Sequence, residues 1–227
     1  MIFFINMRTL VIALSLILVS GFLSCNKILM NAYGIKEPRF MNKEQVLNQS
    51  NKLGIPGEQS FILNKKYFLD LEKKDTGNAL IFSNKCSPMI SKYEQPLQVM
   101  YFNETGQLVS FHNNCYAPGF PKLKWNSNGQ FDKFIPATTI PLTDSVLNLH
   151  LLLKHLEPLT GNNVSPGSQI IVIVFWSNFM LKQSKELIKV TRNNLHLDKK
   201  NESKILFVNT DNCFVDDRYA TQINKTG

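Results

Sequence analysis

The side chains that could carry chemistry in this 227-residue chain are four cysteines, four histidines and one acidic cluster. Dithiol chemistry and zinc ribbons need a Cys-x-x-Cys motif, in which two residues separate the cysteines, and no such motif occurs. Phosphate-binding glycine loops, the H-E-x-x-H zinc motif and the G-x-S-x-G nucleophile motif are also absent from the sequence. The sequence therefore predicts no catalytic residue, no metal site and no cofactor. The cysteines are Cys25, Cys86, Cys115 and Cys213.

Cys25 ends an N-terminal segment that is typical of a secretory signal peptide. Arg8 precedes an apolar run over residues 10–19 that is too short to span a bilayer comfortably, and small residues follow it. The motif Phe22-Leu23-Ser24-Cys25 resembles a bacterial lipobox, although Phe22 departs from the usual aliphatic residue at the first position. The resemblance implies a signal peptide over residues 1–24 and a lipid on the Cys25 thiol.

The alternative for this end of the chain is an ordinary secreted protein that is cut near Gly21, with Cys25 free to join a disulfide. Met7 followed by Arg8 would itself make a conventional start. If Cys25 is acylated, several acyl chains hold the protein in one leaflet essentially permanently. The expected location is then the cell envelope, on the periplasmic face or at the outer membrane.

The charge balance bears on partners. The chain has 25 Lys and Arg against 17 Asp and Glu, a formal net charge of +8, and loss of Arg8 with the signal lowers it by one. Nucleic acid is a poor partner for an exported protein. The surplus indicates compatibility with an anionic membrane, or simply solvated surfaces. The expected partners are the membrane, through the lipid, and another envelope protein.

After the anchor, residues 25–58 are predicted to be a polar, membrane-proximal tether with a short helix around 42–50. Residues 59–138 are predicted to form an antiparallel β region, because short apolar runs at 61–63, 67–71 and 79–82 alternate with polar residues. Residues 102–111 and 125–134 repeat one pattern, in which Asn and Gly bracket a four-residue loop. This repeat predicts two successive hairpins, or one hairpin and a frayed relative of it.

Cys86 and Cys115 bracket the first predicted hairpin. In an oxidising compartment a disulfide between them would close a loop of about 30 residues and stabilise the fold by about 3–4 kcal/mol. The alternative is two buried free thiols. With Cys25 lipidated, Cys213 is left as an odd thiol, for which a structural role is favoured over a reactive one.

In the second half of the chain, the spacing of apolar residues changes from the alternation of a strand to the period of a helix. A helix capped by Thr143 or Asp144 is predicted to end at Glu157-Pro158. Residues 170–176 are continuously apolar and β-branched, which is typical of a strand buried on both faces of a parallel sheet. Ser177 or Asn178 can then cap an amphipathic helix that precedes a strand over 205–211. These elements define a unit over 139–215, followed by a tail over 216–227.

The run Ile173-Val174-Phe175-Trp176-Ser177-Asn178-Phe179 resembles the thioredoxin strand that leads to the Trp-Cys-x-x-Cys motif. The later run Phe207-Val208-Asn209-Thr210-Asp211 resembles that family's next strand, and the similarity covers residues 143–212. The resemblance implies that Met180 and Gln183 occupy the positions of the two redox cysteines. It also implies that the chain ends before the family's cis-Pro strand and final hairpin, so that the substrate-binding edge is missing.

Other polar residues support weaker hypotheses. His150 and His155 are five residues apart, on different helix faces, so a shared metal is not expected. Asp211 is interpreted as a helix cap, and Asp216 and Asp217 as part of the tail. A basic stripe on the second helix could face phosphate or lipid, although a solvated face is favoured; it comprises Lys182, Lys185, Lys189 and Arg192.

The sequence as a whole predicts an α+β protein in which N-terminal antiparallel hairpins precede a partial thioredoxin-like α/β unit. The leading functional hypothesis is an exported, lipid-anchored envelope lipoprotein with a non-catalytic binding or scaffold role. One alternative is a thioredoxin-like thiol-disulfide oxidoreductase, or the partner of one, that uses Cys213 or the Cys86/Cys115 pair. Another is a truncated, inactive relative of such an enzyme.

Overall fold

The computed structural model describes residues 30–76, 93–140, 142, 147–161, 169–200 and 203–215. Its strands in chain order are β1 (Ser60–Leu63), β2 (Gln98–Phe102), β3 (Leu108–Asn113), β4 (Leu156–Pro158), β5 (Ile171–Trp176) and β6 (Lys204–Asn209). The main helices are α1 (Lys43–Lys52), α2 (Lys66–Thr76), α3 (Leu149–Lys154) and α4 (Leu181–Leu195). Single 3-10 turns lie at Gly57–Gln59, Ser127–Gly129 and Asp211–Cys213.

The strands form one six-stranded mixed sheet in the order β3-β2-β5-β6-β1-β4. The three neighbouring strands β5, β6 and β1 are parallel, whereas β2 is antiparallel to β5, β3 to β2 and β4 to β1. The α+β class is therefore confirmed. The predicted β region and the predicted α/β unit contribute strands to the same sheet, because β1 pairs with β6 and β2 pairs with β5.

The centre of the sheet is β5, as the apolar β-branched run predicts. All six of its residues are buried, and it pairs in register with β6 on one side and β2 on the other, with Val174 opposite Phe207 and Val99. A strand covered on both faces has no polar side of its own, which is why its sequence is apolar throughout. The prediction of a strand buried on both faces and paired with a parallel neighbour is confirmed.

The first copy of the repeat closes the hairpin between β2 and β3. The Asn103 side chain accepts hydrogen bonds from the backbone N–H groups of Thr105 and Gln107, at 3.1 and 2.9 Å. Gly106 has a φ of +77°, a conformation that glycine adopts without the steric cost of a side chain. The Asn and Gly of the pattern therefore have the roles that a hairpin loop requires.

The second copy does not form a hairpin. Asn126 instead accepts a hydrogen bond from the backbone N–H of Phe131 and donates one to the Asp132 carboxylate, both at 2.8 Å. Two consecutive residues, Asn128 and Gly129, have positive φ values of 63° and 69°. These local bonds fold the copy into a compact loop around a 3-10 turn, so the expectation of a second hairpin is wrong.

Two other expectations need correction, and a third is not tested. Residues 67–71 belong to α2 and not to a strand, because Tyr67, Phe68 and Leu71 recur at helical spacing and are buried while Leu69 is 52% exposed. Residues 61–63 are in a strand, but β1 pairs in parallel with β6. Residues 79–82 lie outside the described residues.

The helix expected between Thr143 and Glu157 is shorter. It begins after Asn148, whose side chain accepts a hydrogen bond of 2.8 Å from the backbone N–H of Leu151, and it ends at Lys154. Thr143 and Asp144 lie outside the described residues. Leu156–Pro158 forms β4 because these residues find backbone partners in β1, which leaves no place for a last helical turn.

The stretch expected to be a tether is packed against the sheet over much of its length. The predicted short helix is present as α1, which begins at a capping box formed by Asn42 and Gln45. Val46 is fully buried and Ile55 is 1% exposed, and both join the core beneath α4. Apolar side chains at these positions account for the packing, since their burial offsets the cost of ordering the chain.

The two faces of the sheet have separate apolar cores. The odd-numbered β2 residues Val99 and Tyr101 pack with α1 and α4, whereas Met100 and Phe102 pack with α2 and α3. Asn194 of α4 is a buried polar link in the first core. Its carbonyl oxygen accepts from the Tyr101 hydroxyl at 2.9 Å, and its amide donates to the carbonyls of Phe131 and Lys133 at 2.7 and 2.8 Å.

We predict that Asn194→Ala lowers the free energy of unfolding by about 3 kcal/mol, because each buried polar group left without a partner costs about 1–3 kcal/mol. The matched control is Asn193→Ala, at an exposed neighbouring position of the same helix, which should change stability by less than about 0.5 kcal/mol. Urea denaturation followed by tryptophan fluorescence measures both. Equal effects of the two variants would show that the buried Asn194 amide does not hold the loop around Phe131 and Lys133 against α4.

Candidate functional site

The candidate site lies at the carboxyl ends of β5 and β6, where α4 begins. Ligands of sheets with parallel strands commonly bind beyond the carboxyl ends of those strands. A cavity of about 500 Å³ is present there. It is lined by residues of three segments: Asn31, Lys36, Glu37, Arg39, Asn178, Phe179 and Asp211.

The loop between β5 and α4, residues 177–180, is fixed by two serines. The Ser177 hydroxyl accepts a hydrogen bond of 3.2 Å from the backbone N–H of Met180, at the start of α4. The Ser177 backbone N–H donates to the Ser184 hydroxyl, which donates to the Ser177 carbonyl, at 3.0 and 2.8 Å. The N-cap of α4 is Met180, without a side-chain cap, so the prediction that Ser177 or Asn178 caps this helix is wrong. Ser177 instead holds the loop that precedes the helix.

Asp211 caps the same loop from a distant part of the chain. Its carboxylate accepts hydrogen bonds from the backbone N–H groups of Asn178 and Phe179, at 2.7 and 3.2 Å, and from the Asn209 side chain. The residue is 1% exposed. Burial raises the pKa of its carboxyl, and the hydrogen bonds act in the opposite direction. The interpretation of Asp211 as a helix cap is therefore wrong, because its carboxylate binds N–H groups of the loop before Met180, the N-cap of α4.

A stretch of the N-terminal chain, residues 30–41, lies across this loop, and we name it the crossing segment. The Lys36 backbone N–H donates to the Phe179 carbonyl at 2.8 Å, and Ile35 forms an antiparallel bridge with Met180. The far end is held by Asn212, whose side chain accepts from the Met41 backbone N–H and donates to the Met41 carbonyl, at 2.8 and 2.9 Å. The crossing segment therefore binds a backbone carbonyl of the β5–α4 loop and a side chain of the turn after β6.

Met180 and Gln183, at the positions that the thioredoxin resemblance implies for redox cysteines, both serve packing here. Met180 is 4% exposed within the apolar core. The Gln183 amide nitrogen donates to the carbonyls of Tyr33 and Pro121, at 3.2 and 2.8 Å. A thioether and an amide cannot attack a disulfide, which requires a thiolate.

Close contact between the crossing segment and α4 also requires a glycine. Gly34 has a φ of +74°, and a Cβ at this position would lie 2.9 Å from a side-chain carbon of Lys182. The Lys182 ammonium donates to the Ala32 carbonyl at 3.0 Å, so its aliphatic chain runs along the segment. The sequence signal for this contact, one glycine in a polar stretch, is too weak to have indicated it.

The cysteines are not brought together within the part of the chain that the structure describes. Cys213 is half-buried and its thiol contacts the Leu63 carbonyl at 3.5 Å. The pKa of this thiol is raised to about 12, mainly by burial, with Lys65 lowering it and Asp211 raising it by smaller amounts. Cys115 is exposed, and Cys25 and Cys86 lie outside the described residues. The Cys86–Cys115 disulfide therefore stays a prediction.

The histidines are also apart from one another. His150 is exposed while His155 is 7% exposed and lies 3.1 Å from the Asp70 carboxylate, a pair that the sequence did not suggest. Burial lowers the pKa of His112 to about 4, and its ring nitrogens lie 3.2 and 3.1 Å from the hydroxyls of Ser110 and Thr139. Among the described residues no cluster of His, Cys, Asp and Glu could hold a metal ion.

The basic stripe on α4 faces outward at Lys182, Lys185 and Lys189, as predicted. Arg192 differs, because its guanidinium donates to the Gly54 carbonyl at 2.7 Å and lies over the Phe207 ring at 5.2 Å. It thereby joins the end of α1 to α4. The stripe borders a cleft of about 360 Å³ to which Lys52 and His196 contribute.

Comparisons with protein-family models, with curated proteins and with solved structures find no match to this chain. Within the described ranges, no helix is long and apolar enough to cross a bilayer.

Proposed function

We propose that this chain is an exported, lipid-anchored envelope protein with a non-catalytic binding or scaffold role. One observation carries the proposal: the crossing segment begins five residues after Cys25 and is bound across the start of α4. The chain that would leave the membrane thus occupies the place where a thioredoxin-like enzyme would need an open site. The proposed membrane attachment and the folded part of the chain therefore meet at the start of α4.

The resemblance of residues 143–212 to thioredoxin, which belongs to this proposal, has support from the strand arrangement. β5 leads into α4, which returns to β6 parallel to β5, and a hairpin lies antiparallel along the other side of β5. The edge expected to be missing is occupied, but by residues 98–113, which precede β5 in the chain. An element contributed from upstream satisfies the β5 backbone groups as well as a later one would.

The non-catalytic part rests on how the loop is used. Ile35 pairs with Met180, and Gln183 binds carbonyls of two other segments. Side chains committed to packing and to structural hydrogen bonds are poorly placed to bind and release a substrate. The loop is therefore better suited to a structural role than to catalysis, and a partner such as another envelope protein would bind elsewhere on the fold.

The alternative, a thiol-dependent oxidoreductase, is disfavoured at Cys213. A pKa of about 12 leaves almost no thiolate near neutral pH, and the half-buried thiol contacts a backbone carbonyl. Reactive cysteines lie in electropositive, accessible surroundings that lower the pKa. The Cys86/Cys115 pair is a separate hypothesis that this argument does not address.

We predict that the protein purified from the membrane fraction of an expressing bacterium carries diacylglycerol on Cys25. Intact mass spectrometry with peptide mapping measures the modification. Cys25→Ser should release the protein from the membrane fraction, whereas the matched control Cys86→Ser should not. An unmodified Cys25 in the membrane fraction would overturn the anchoring half of the proposal.

We also predict that the purified chain reduces insulin disulfides with dithiothreitol no faster than dithiothreitol alone, and that Cys213→Ser leaves this background unchanged. Cys115→Ser, at an exposed cysteine, is the control. Turnover that Cys213→Ser abolishes and Cys115→Ser retains would establish the oxidoreductase and contradict the non-catalytic role.

A further inference from the structure

Exposed apolar side chains are concentrated on the crossing segment. Met30 is 36% exposed, Tyr33 38% and Phe40 54%, although the segment is bonded at both ends. Phe120 is also exposed, at 57%, and it precedes Pro121, whose carbonyl accepts from the same Gln183 amide group as the carbonyl of Tyr33. Large apolar side chains clustered on a polar segment mark a surface that binds something.

The same surface carries exposed cations. Lys36 and Arg39 lie between the apolar residues of the crossing segment, and Lys182 of α4 is fastened to its first turn. Glu37 is the one acidic residue between Lys36 and Phe40. Aromatic and apolar side chains mixed with Lys and Arg are the combination that suits the headgroup region of an anionic bilayer.

Chain length limits how far this surface can be from the membrane. Four residues lie between Cys25 and Met30, and the five residue steps from one to the other span at most about 18 Å in a fully extended chain. An acylated Cys25 would therefore hold the crossing segment close to the lipid headgroups. Because the segment is bonded to the β5–α4 loop and to Asn212, the whole start of α4 must lie close to the membrane as well.

We infer that the crossing segment and the start of α4 form a membrane-facing surface, which lies on anionic phospholipid with Met30, Tyr33 and Phe40 in the interfacial layer. This inference rests on the proposed acylation of Cys25. Lys36 and Arg39 contact the phosphates. α4 then points away from the bilayer, so that its far end and Leu197 lie about 22 Å deeper in the aqueous space. The opposite edge of the sheet is left for a partner.

The test uses single tryptophans as depth reporters in the full chain, in Phe40→Trp and in the matched control Leu197→Trp. Leu197 is 44% exposed and lies at the far end of α4. The native tryptophans, Trp125 and Trp176, are 5% and 0% exposed and contribute a constant background. Both variants are reconstituted in vesicles of phosphatidylethanolamine and phosphatidylglycerol that contain brominated phosphatidylcholine as a quencher.

We expect bromolipid to quench Phe40→Trp at least about threefold more than Leu197→Trp, because an interfacial side chain enters the bilayer by about 5–10 Å. Adding Lys36→Glu and Arg39→Glu should reduce the Phe40→Trp quenching by about half or more, since each cation near an anionic surface adds to the attraction and each replacement carboxylate opposes it. The same charge change at Lys199 and Lys200, in the exposed turn after Leu197, should leave it unchanged.

The outcomes separate this inference from the proposed function, because the mass of Cys25 is determined independently. An acylated protein with equal quenching at both positions, or with none at Phe40→Trp, overturns the membrane-facing surface and leaves the anchor standing. An unacylated protein that still shows the Phe40→Trp quenching with added vesicles supports the surface and overturns the anchor. An unacylated protein without that quenching overturns both.

Discussion

The arrangement of the site depends on one buried carboxylate. Asp211 is 1% exposed, and a charge removed from water is tolerated only where hydrogen bonds replace its hydration. The backbone N–H groups of Asn178 and Phe179 supply those bonds and are fixed by them. The next residue, Asn212, makes two bonds to the backbone of Met41. Two adjacent side chains thus hold the β5–α4 loop and one end of the segment that crosses it.

The bonds to Asp211 explain why the crossing segment packs over the β5–α4 loop at the carboxyl edge of the sheet. The N–H groups of Asn178 and Phe179 are bonded to Asp211, so the Phe179 carbonyl remains as an acceptor. The Lys36 N–H of the crossing segment donates to this carbonyl. Met180 and Gln183 are both buried, Met180 within the apolar core and Gln183 with a hydrogen bond to the Tyr33 carbonyl of the crossing segment.

Elements with strong local signals were predictable, and contacts between distant polar segments were not. The β-branched run of β5, the helical period of α4 and the Asn and Gly that close the β2–β3 turn each act within a few residues. The partners of Asp211 are backbone groups 32 and 33 residues away, and those of Asn212 are 171 residues away, so no side-chain pattern announces them. α2 was mistaken for a strand because its apolar residues form a short run, and the second repeat copy folded differently because Asn126 bonds locally.

The crossing segment is a fixed part of the fold at the start of α4. Hydrogen-deuterium exchange of the full chain, followed by peptide mass spectrometry, tests this fixed position through the Lys36 amide, which donates to the Phe179 carbonyl. We expect this amide to exchange slowly, together with those of Asn178 and Phe179, and we expect Asp211→Ala to accelerate all three. Exchange of the Lys36 amide at the rate of an unstructured peptide would show that the segment is not held there.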